Sequence, residues 1–303
     1  MNGAAKRVSE DPASGDPFVV HRGLLFTVAY EILGSAADAE DVLQESWLRW
    51  ADVDRGRVHD PRAYLVRIVT RQALNQLRTV SRRREEYVGP WLPEPLLTAP
   101  DVADDVVLAE SVSLAMLTVL ETLTPTERAV FVLREVFDVP FDEIADAVDK
   151  SSAAVRQIAH RARDHVAARR PRMEVDASEH DRVVRRFIAA LDSGDMQGLM
   201  DVLAPDVVST TDSGGLVRHA ARRPLFGAER VVAFLRGSIA KLDIAYRVRP
   251  IVVNGRLAAR IEVGGALMAV VGFEIEDGRI AQVFSIANPR KLEALGSETL
   301  LAR

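Results

Sequence analysis

The chain has 303 residues, 48% of them hydrophobic and 27% charged, with a formal net charge of -5 and no cysteine. That length exceeds the usual size of one domain, so two or three cores are expected. The lack of cysteine excludes disulfides, thiolate metal sites and cysteine nucleophiles, and suits a reducing, cytoplasmic setting.

Residues 1–17, "MNGAAKRVSEDPASGDP", are polar and rich in Pro, Gly and Ser with no apolar stretch, so they read as a disordered lead-in and not a signal peptide. From 18 to 88 the apolar residues recur at helical spacing: Leu24, Leu25, Val28, Ala29 and Ile32, then Val42, Leu43, Trp47 and Leu48, then Tyr64, Leu65, Ile68 and Val69. Ser35 is placed to N-cap the second of these helices, with Asp38, Glu40 and Asp41 near the positive end of its dipole. Pro61 stands in the first turn of the third. This block is predicted to be all-helical, with Tyr64, Trp47 and Trp50 in its core or at an interface.

Residues 89–105, "GPWLPEPLLTAPDVADD", have no periodicity, and their four prolines stop both helix and central strand. They read as an acidic linker, with Glu94, Asp101, Asp104 and Asp105, whose apolar Trp91, Leu92, Leu96 and Leu97 dock on something. Between 106 and 172 the helical pattern returns. "LTPTERAVFVLREVF" opens a helix with Thr124 as N-cap, Pro125 at the first position and Glu127 completing a capping box. "PFDEIADAVDKSSAAVRQIAHRAR" then gives a helix, a turn near Asp149 to Ser151, and a second helix. Ile144, Ala145, Val148, Val155 and Ile158 fall where a helix-turn-helix packs its pair together. Between Arg156 and Arg172 there are six arginines against one acid, Asp164, in a chain of net negative charge. Basic charge that is local in this way is what a nucleic-acid footprint needs.

Residues 173–290 change period. Amphipathic helices are predicted at 180–192, 195–203 and 228–241. "AYRVRPIVVNG", "RLAARIEVGG", "LMAVVGFEIEDG" and "RIAQVFSIANP" follow as strands punctuated by Asn-Gly, Gly-Gly, Asp-Gly and Asn-Pro. Helices followed by a meander indicate an α+β domain with a curved antiparallel sheet over its helices. Residues 291–303 form a C-terminal tail. The apolar run "GGALMAVVGF" is too short to span a bilayer, so no membrane partner is expected. No Gly-rich phosphate loop, metal-spaced His cluster or nucleophile elbow is present, and neither a cofactor nor a metal is expected.

"AYEILGSAADAEDVLQESWLRW", "PRAYLVRIVTRQALNQLR" and "LTPTERAVFVLREVFDVPFDEIADAVDKSSAAVRQIAHRAR" resemble regions 2 and 4 of the extracytoplasmic-function sigma factors of the sigma-70 family, over residues 18 to 170 and in order. The third block resembles a SnoaL-like cone, and "WLPEPL", "DSGGLV" and "NPRKL" resemble marks of the subgroup with such a domain fused. Where that subgroup tends to show an Asp-Gly-Gly-Gly-Lys-like loop, Asp212 is followed here by Ser213, Gly214, Gly215 and Leu216.

The resemblance implies a multidomain protein: an all-α region 2 bundle, an all-α region 4 helix-turn-helix and an α+β cone. Its implied partners are the RNA polymerase core enzyme and promoter DNA. In the recognition helix, Arg156, Gln157, His160, Arg161 and Arg163 lie on the outward side, where Arg can bond guanine and Gln adenine; His160 could equally be a plain surface residue. In the promoter-melting helix, Arg67, Arg71, Gln72, Asn75 and Arg78 supply cations and amide edges for an unpaired strand. Asp38, Glu40, Asp41, Gln44 and Glu45 form the face expected to meet a basic surface of the polymerase clamp.

Intramolecular regulatory contacts are expected between the linker residues Trp91, Leu92, Pro93, Glu94, Pro95 and Leu96 and the cone residues Asp212, Asn288, Pro289, Lys291 and Leu292. Lys291 is expected to pair with the linker's acids. Two other readings remain open: a ligand-responsive helix-turn-helix repressor with the cone as effector pocket, and a SnoaL-type enzyme fused to a DNA-binding part. For the enzyme, Asp212, His219, Tyr246, Glu262 and Glu274 are the ionisable candidates. The preferred reading is not an enzyme, and a small-molecule ligand in the cone is an open alternative.

Overall fold

The computed structural model describes residues 15–99, 102, 105–169, 176–218, 220–242, 244–296 and 298–303. The first unit has four helices, α1 (Pro17–Val20), α2 (Arg22–Leu33), α3 (Ala36–Ala51) and α4 (Pro61–Glu85), with a 3-10 turn at Arg55–Arg57. Every residue of α2 from Gly23 to Leu33 is buried, because α3, α4 and the second unit surround it; a helix apolar on all sides belongs inside. Gly34 ends α2 in the left-handed conformation, φ 68°, and the Ser35 hydroxyl accepts from Asp38 N to start α3. The lead-in stops earlier than the sequence suggests. Asp16 is buried, caps α1 and accepts from the Trp50 indole at 2.9 Å, so it belongs to the first unit.

Residues 87–96 carry no helix or strand, as Pro90, Pro93 and Pro95 dictate, and Leu97 forms a single bridge to Val253. The second unit contains α5 (Val106–Ser111), α6 (Leu114–Leu120), α7 (Pro125–Phe131) running into a π-turn (Val132–Val136), α8 (Phe141–Val148) and α9 (Ser152–Ala167). Thr124 and Glu127 form the predicted capping box. Asp149 closes α8 in the left-handed conformation, φ 55°, which sets the turn into α9. The two helical units share one continuous core, from Phe18 and Leu25 through Leu117 and Leu133 to Val155 and Val166.

The third unit contains α10 (Ala177–Ser193), α11 (Met196–Val202), β1 (Leu203–Asp212), β2 (Leu225–Phe226), α12 (Ala228–Ile239), β3 (Tyr246–Val253), β4 (Arg256–Val263), β5 (Ala266–Glu276), β6 (Arg279–Ile286) and α13 (Pro289–Leu292), then a 3-10 turn at Glu293–Gly296. The sheet order is β2-β1-β6-β5-β4-β3. The four-strand meander follows the sequence reading, with Asn254-Gly255, Gly264-Gly265 and Asp277-Gly278 supplying the positive φ that tight hairpins require. Two features differ from it. The segment "LAPDVVSTTD" is strand β1, and β1 pairs parallel with β6, which makes the sheet mixed where an antiparallel one was predicted. A strand entered directly from α11 has no hairpin to fix its direction, so it adds along β6 in parallel.

Both faces of the sheet are covered. Val271, Phe273, Ile275 and Val283 pack against α10–α12. On the other face Val270, Phe284 and Ile286 meet Leu92 of the linker, Leu114 of α6 and Leu292 of α13. Among the described residues no helix is long and apolar enough to cross a membrane.

Candidate functional site

The recognition-helix candidate α9 is N-capped by Ser151 and buries Val155, Ile158, Ala159, Ala162 and Val166. Helical period then leaves Arg156, Gln157, His160, Arg161 and Arg163 exposed, and all five are. They are not equally available. Arg163 is held by Glu135 at 2.7 Å, and this hydrogen bond raises its already high pKa. His160 pairs with Asp164 at 2.8 Å on the same helix. Arg156 lies over the Phe141 ring at 5.3 Å, and Arg161 is 3.9 Å from Glu127. Arg170 and Arg172 lie outside the described residues.

On α4, Asn75 and Arg78 are exposed and bonded to one another at 3.4 Å. Arg67 lies over the Tyr64 ring at 5.0 Å. Arg71 donates to the carbonyl of Asp146 in α8 at 2.6 Å, so α4 carries the second unit on this side. Gln72 departs from the sequence reading. It is buried, and its amide nitrogen has no partner among the described residues, because packing on two sides of α4 covers this position. In this arrangement Gln72 is not open to a strand.

On α3, Glu40, Asp41, Gln44 and Glu45 are exposed and Asp38 is half-buried. Asp38 accepts from Gln76 at 2.9 Å, Glu40 pairs with Arg22 at 2.6 Å, and Glu45 with Arg49 at 2.9 Å. Exposed pairs of this kind are weak, so the face stays acidic and exchangeable. Leu48, 61% exposed, stands one turn beyond Gln44 and Glu45 with Trp47 beside it; the sequence periodicity puts Leu48 on the core stripe, and Trp47 in the core or at an interface.

A polar clasp ties linker to cone. Asp212, the last residue of β1, is fully buried. Its carboxylate accepts from the Tyr87 hydroxyl at 2.5 Å, from Leu92 N at 2.8 Å, from Gly214 N at 3.2 Å and from Lys291 Nζ at 2.8 Å. Lys291 also donates to the Leu92 carbonyl and sits 3.8 Å above the Trp91 ring. Its ion pair at 2.8 Å is with the cone's own Asp212, and its charge also acts on Glu94, the linker acid. It also supplies the positive charge that Leu216 does not bring to the Asp212 loop. Asn288 caps α13, which has Pro289 at its first position, and its amide donates to the Tyr87 hydroxyl at 2.7 Å. Burial first, then the Asp212 carboxylate, holds the Tyr87 phenol above its ordinary pKa.

The same linker grips the first unit. Glu94 accepts from Ser35 Oγ at 3.1 Å and from Ala36 N at 2.7 Å, capping α3 from 58 residues away. Burial raises its pKa, opposed by those backbone N–H groups. Pro93, Pro95 and Leu96 are buried, and Trp91 is half-buried. Asn254, at the tip of the β3–β4 hairpin, donates to the Tyr30 hydroxyl at 2.7 Å and the Val112 carbonyl at 2.8 Å, and accepts from Leu96 N at 2.9 Å. One side chain so joins three parts of the chain. In the sequence it signals only a turn. Nor is residue range 291–303 a free tail, since Leu301 enters the helical core, Ala302 N donates to Thr27 at 3.1 Å, and Arg303 pairs with Asp105 at 2.7 Å.

Three of the enzyme candidates are engaged in structural bonds. Asp212 closes the clasp, the Tyr246 hydroxyl donates to the Leu191 carbonyl at 2.8 Å, and Glu262 pairs with Arg260 at 2.7 Å. Glu274 stands opposite Gln282 in the β5–β6 register, and His219 lies outside the described residues.

Family models match in three stretches: Sigma-70 region 2 over residues 18–83, Sigma-70 region 4 over 113–166, and a SnoaL-like domain over 184–283. The ECF RNA polymerase sigma factor SigJ of Mycobacterium tuberculosis is 39% identical over 287 residues, 90% of this chain and 91% of that one. The probable ECF RNA polymerase sigma factor SigI of the same organism is 32% identical, covering 95% and 97%. The crystal structure of SigJ superposes with a TM-score of 0.75 at 37% identity, over 92% of this chain and 98% of that one.

Proposed function

The chain belongs to the extracytoplasmic-function RNA polymerase sigma factors with a fused SnoaL-like domain, and from that premise we propose how its surfaces divide the work. It directs core polymerase to promoters and starts transcription there. The acidic face of α3, from Asp38 to Glu45 with Leu48, docks on the polymerase clamp. Arg156, Gln157 and Arg161 of α9 read the promoter duplex in the major groove. Arg67, Arg71, Asn75 and Arg78 of α4 hold the opened strand.

The cone restrains these surfaces from the same chain. The carrying observation is the clasp: Asp212 and Lys291 hold the linker at Leu92, and Asn254 holds it at Leu96. The linker in turn keeps α4 against α8, where Arg71 is bonded to Asp146 and Gln72 is covered. Promoter opening then requires the helical units to part, with the linker drawn from the cone into the polymerase. Tethering in one chain gives the cone a high effective concentration, so modest contacts suffice to bias the open and closed populations.

Run-off transcription with purified core polymerase tests the reading. The full chain and a chain ending before Asn288 should both bind polymerase, and the shortened chain should differ strongly in transcript yield. Duplex binding by the isolated protein with no effect on purified polymerase would support the repressor reading instead. Equal yields from the two chains would make the cone a passenger.

A further inference from the structure

A groove of about 730 Å³ lies between the second helical unit and the cone. One wall is α5–α6, with Met116 and Val119; the other carries Leu257, Phe273 and Ile275 from the ends of β4 and β5. The clasp is elsewhere, and none of its residues lines this space.

Two polar groups on the cone wall, the buried His180 and the half-buried Arg256, are short of strong partners. His180, in the first turn of α10, is 5% exposed, and neither ring nitrogen has a hydrogen bond of normal geometry among the described residues, although the Phe273 backbone and Asp181 lie close enough to favour its charged form. Asp181 is the nearest carboxylate, and at 3.7 Å from Nδ1 it is beyond hydrogen-bond reach. Burial, aided by Arg256, depresses the pKa of the imidazole. Arg256, the first residue of β4, lines the groove beside it, and its guanidinium has no hydrogen bond or ion pair among the described residues. The groove's acids are differently placed: Asp181 faces Arg185 at 3.9 Å, Asp176 accepts from Ser178, and Glu110 and Glu274 are not free either. Arg256 therefore has donors to spare, beside the apolar Leu257, Phe273 and Ile275 and among acids that are already engaged. Leaving a buried polar group unmatched is costly unless something else supplies the bond.

We propose that this groove binds a small organic acid with an apolar body, its carboxylate on Arg256 and His180 and its body against Leu257, Phe273, Val119 and Met116. Apolar walls with a few convergent polar groups are the usual make-up of a small-molecule site. A planar fork such as Arg is the side chain best suited to a carboxylate. Because the walls belong to the region 4 helices and to the cone, the ligand bridges them and favours the closed arrangement. That last consequence rests on the cone's restraining role; the binding itself does not.

The test is calorimetric titration of the full chain with 2-naphthoate, and in parallel with the uncharged 2-naphthamide of the same shape. Naphthoate should bind saturably at one site and at least tenfold more tightly than the amide. Arg256→Gln should abolish that preference and Arg256→Lys should keep most of it, while His180→Gln weakens naphthoate severalfold. Circular dichroism melts and hydrodynamic radius check that each variant is folded. Equal affinity for acid and amide, an unchanged preference in Arg256→Gln, or no saturable binding of naphthoate would each overturn the site. If naphthoate binds as described but leaves transcription by purified polymerase unchanged, the site stands and the restraining role of the cone falls.

Discussion

Asp212 and Lys291 form an ion pair at 2.8 Å in which both side chains are almost wholly out of solvent, although 79 residues separate them. Truncating one member of such a pair strands the other charge in a dry setting, at a cost of about 3–5 kcal/mol, whereas replacing both with neutral groups costs far less. Lys291→Met should therefore loosen the linker, with rapid protease cleavage between Tyr87 and Thr98, and Asp212→Asn in the same chain should recover much of the protection. Equal cleavage in wild type and Lys291→Met would show that the pair does not hold the linker.

Glu94 supplies a cap that α3 cannot obtain from its own turn beyond Ser35. Glu94→Ala should remove about 1 kcal/mol of stability through the lost cap and dipole interaction. Glu94→Gln keeps an oxygen for Ala36 N but loses the charge, so its loss should be smaller. Urea melts of the three proteins give the order directly.

Glu31 lies at the joint between the helical units, wholly buried, with Ser111 donating to it and the Arg128 guanidinium beside it. Burial pushes its pKa from 4.5 up to about 8, against the opposing effect of Ser111 and Arg128. The packed state thus favours the protonated acid. Its contribution is complete below the free value of 4.5 and is lost as pH rises through about 8. Melting temperature should fall between pH 6 and pH 8.5, and Glu31→Gln, neutral throughout, should flatten that slope. A slope identical to wild type would mean that Glu31 is ionised in the packed protein.

Among the α9 arginines the bonds set an order of effect. Arg156→Ala and Arg161→Ala should each weaken promoter use by about 1–3 kcal/mol, the worth of a good base contact. Arg163→Ala should do less, since Glu135 already neutralises that guanidinium. Transcription from a native promoter that is unchanged in the first two would remove α9 from promoter reading.

On α4, Arg71→Ala with Asn75→Ala should leave polymerase binding intact and shrink the permanganate-reactive bubble. Gln72→Ala should shrink the bubble as well, since parting of the helical units uncovers the amide. A bubble of wild-type size in Gln72→Ala would mean that this residue stays covered during opening.

Much of this was legible from local pattern. The capping box at Thr124 and Glu127, the outward set on α9 and the hairpin turns all follow from short-range rules that the surroundings did not overturn. Strand β1 was not legible, because "LAPDVVSTTD" begins where a helix ends and pairs with a strand about 70 residues later. Gln72 fits a polar helix face on spacing alone, and only the second unit's packing buries it. The clasp was half visible: Asp212, Asn288 and Lys291 stood out as motif residues. Tyr87 and Asn254 did not, since a tyrosine beside a linker and an Asn-Gly turn have ordinary local explanations.

The insertion of Leu301 and Ala302 into region 2 has a consequence during synthesis. Ala302 is made 275 residues after Thr27, its hydrogen-bond partner. At roughly 5–20 residues per second, a ribosome takes on the order of 10 to 60 seconds to cover that distance. Through that interval region 2 can fold while neither the clasp nor the tail that completes its core yet exists. A nascent chain still on its ribosome therefore presents region 2 before any restraint from the cone is possible.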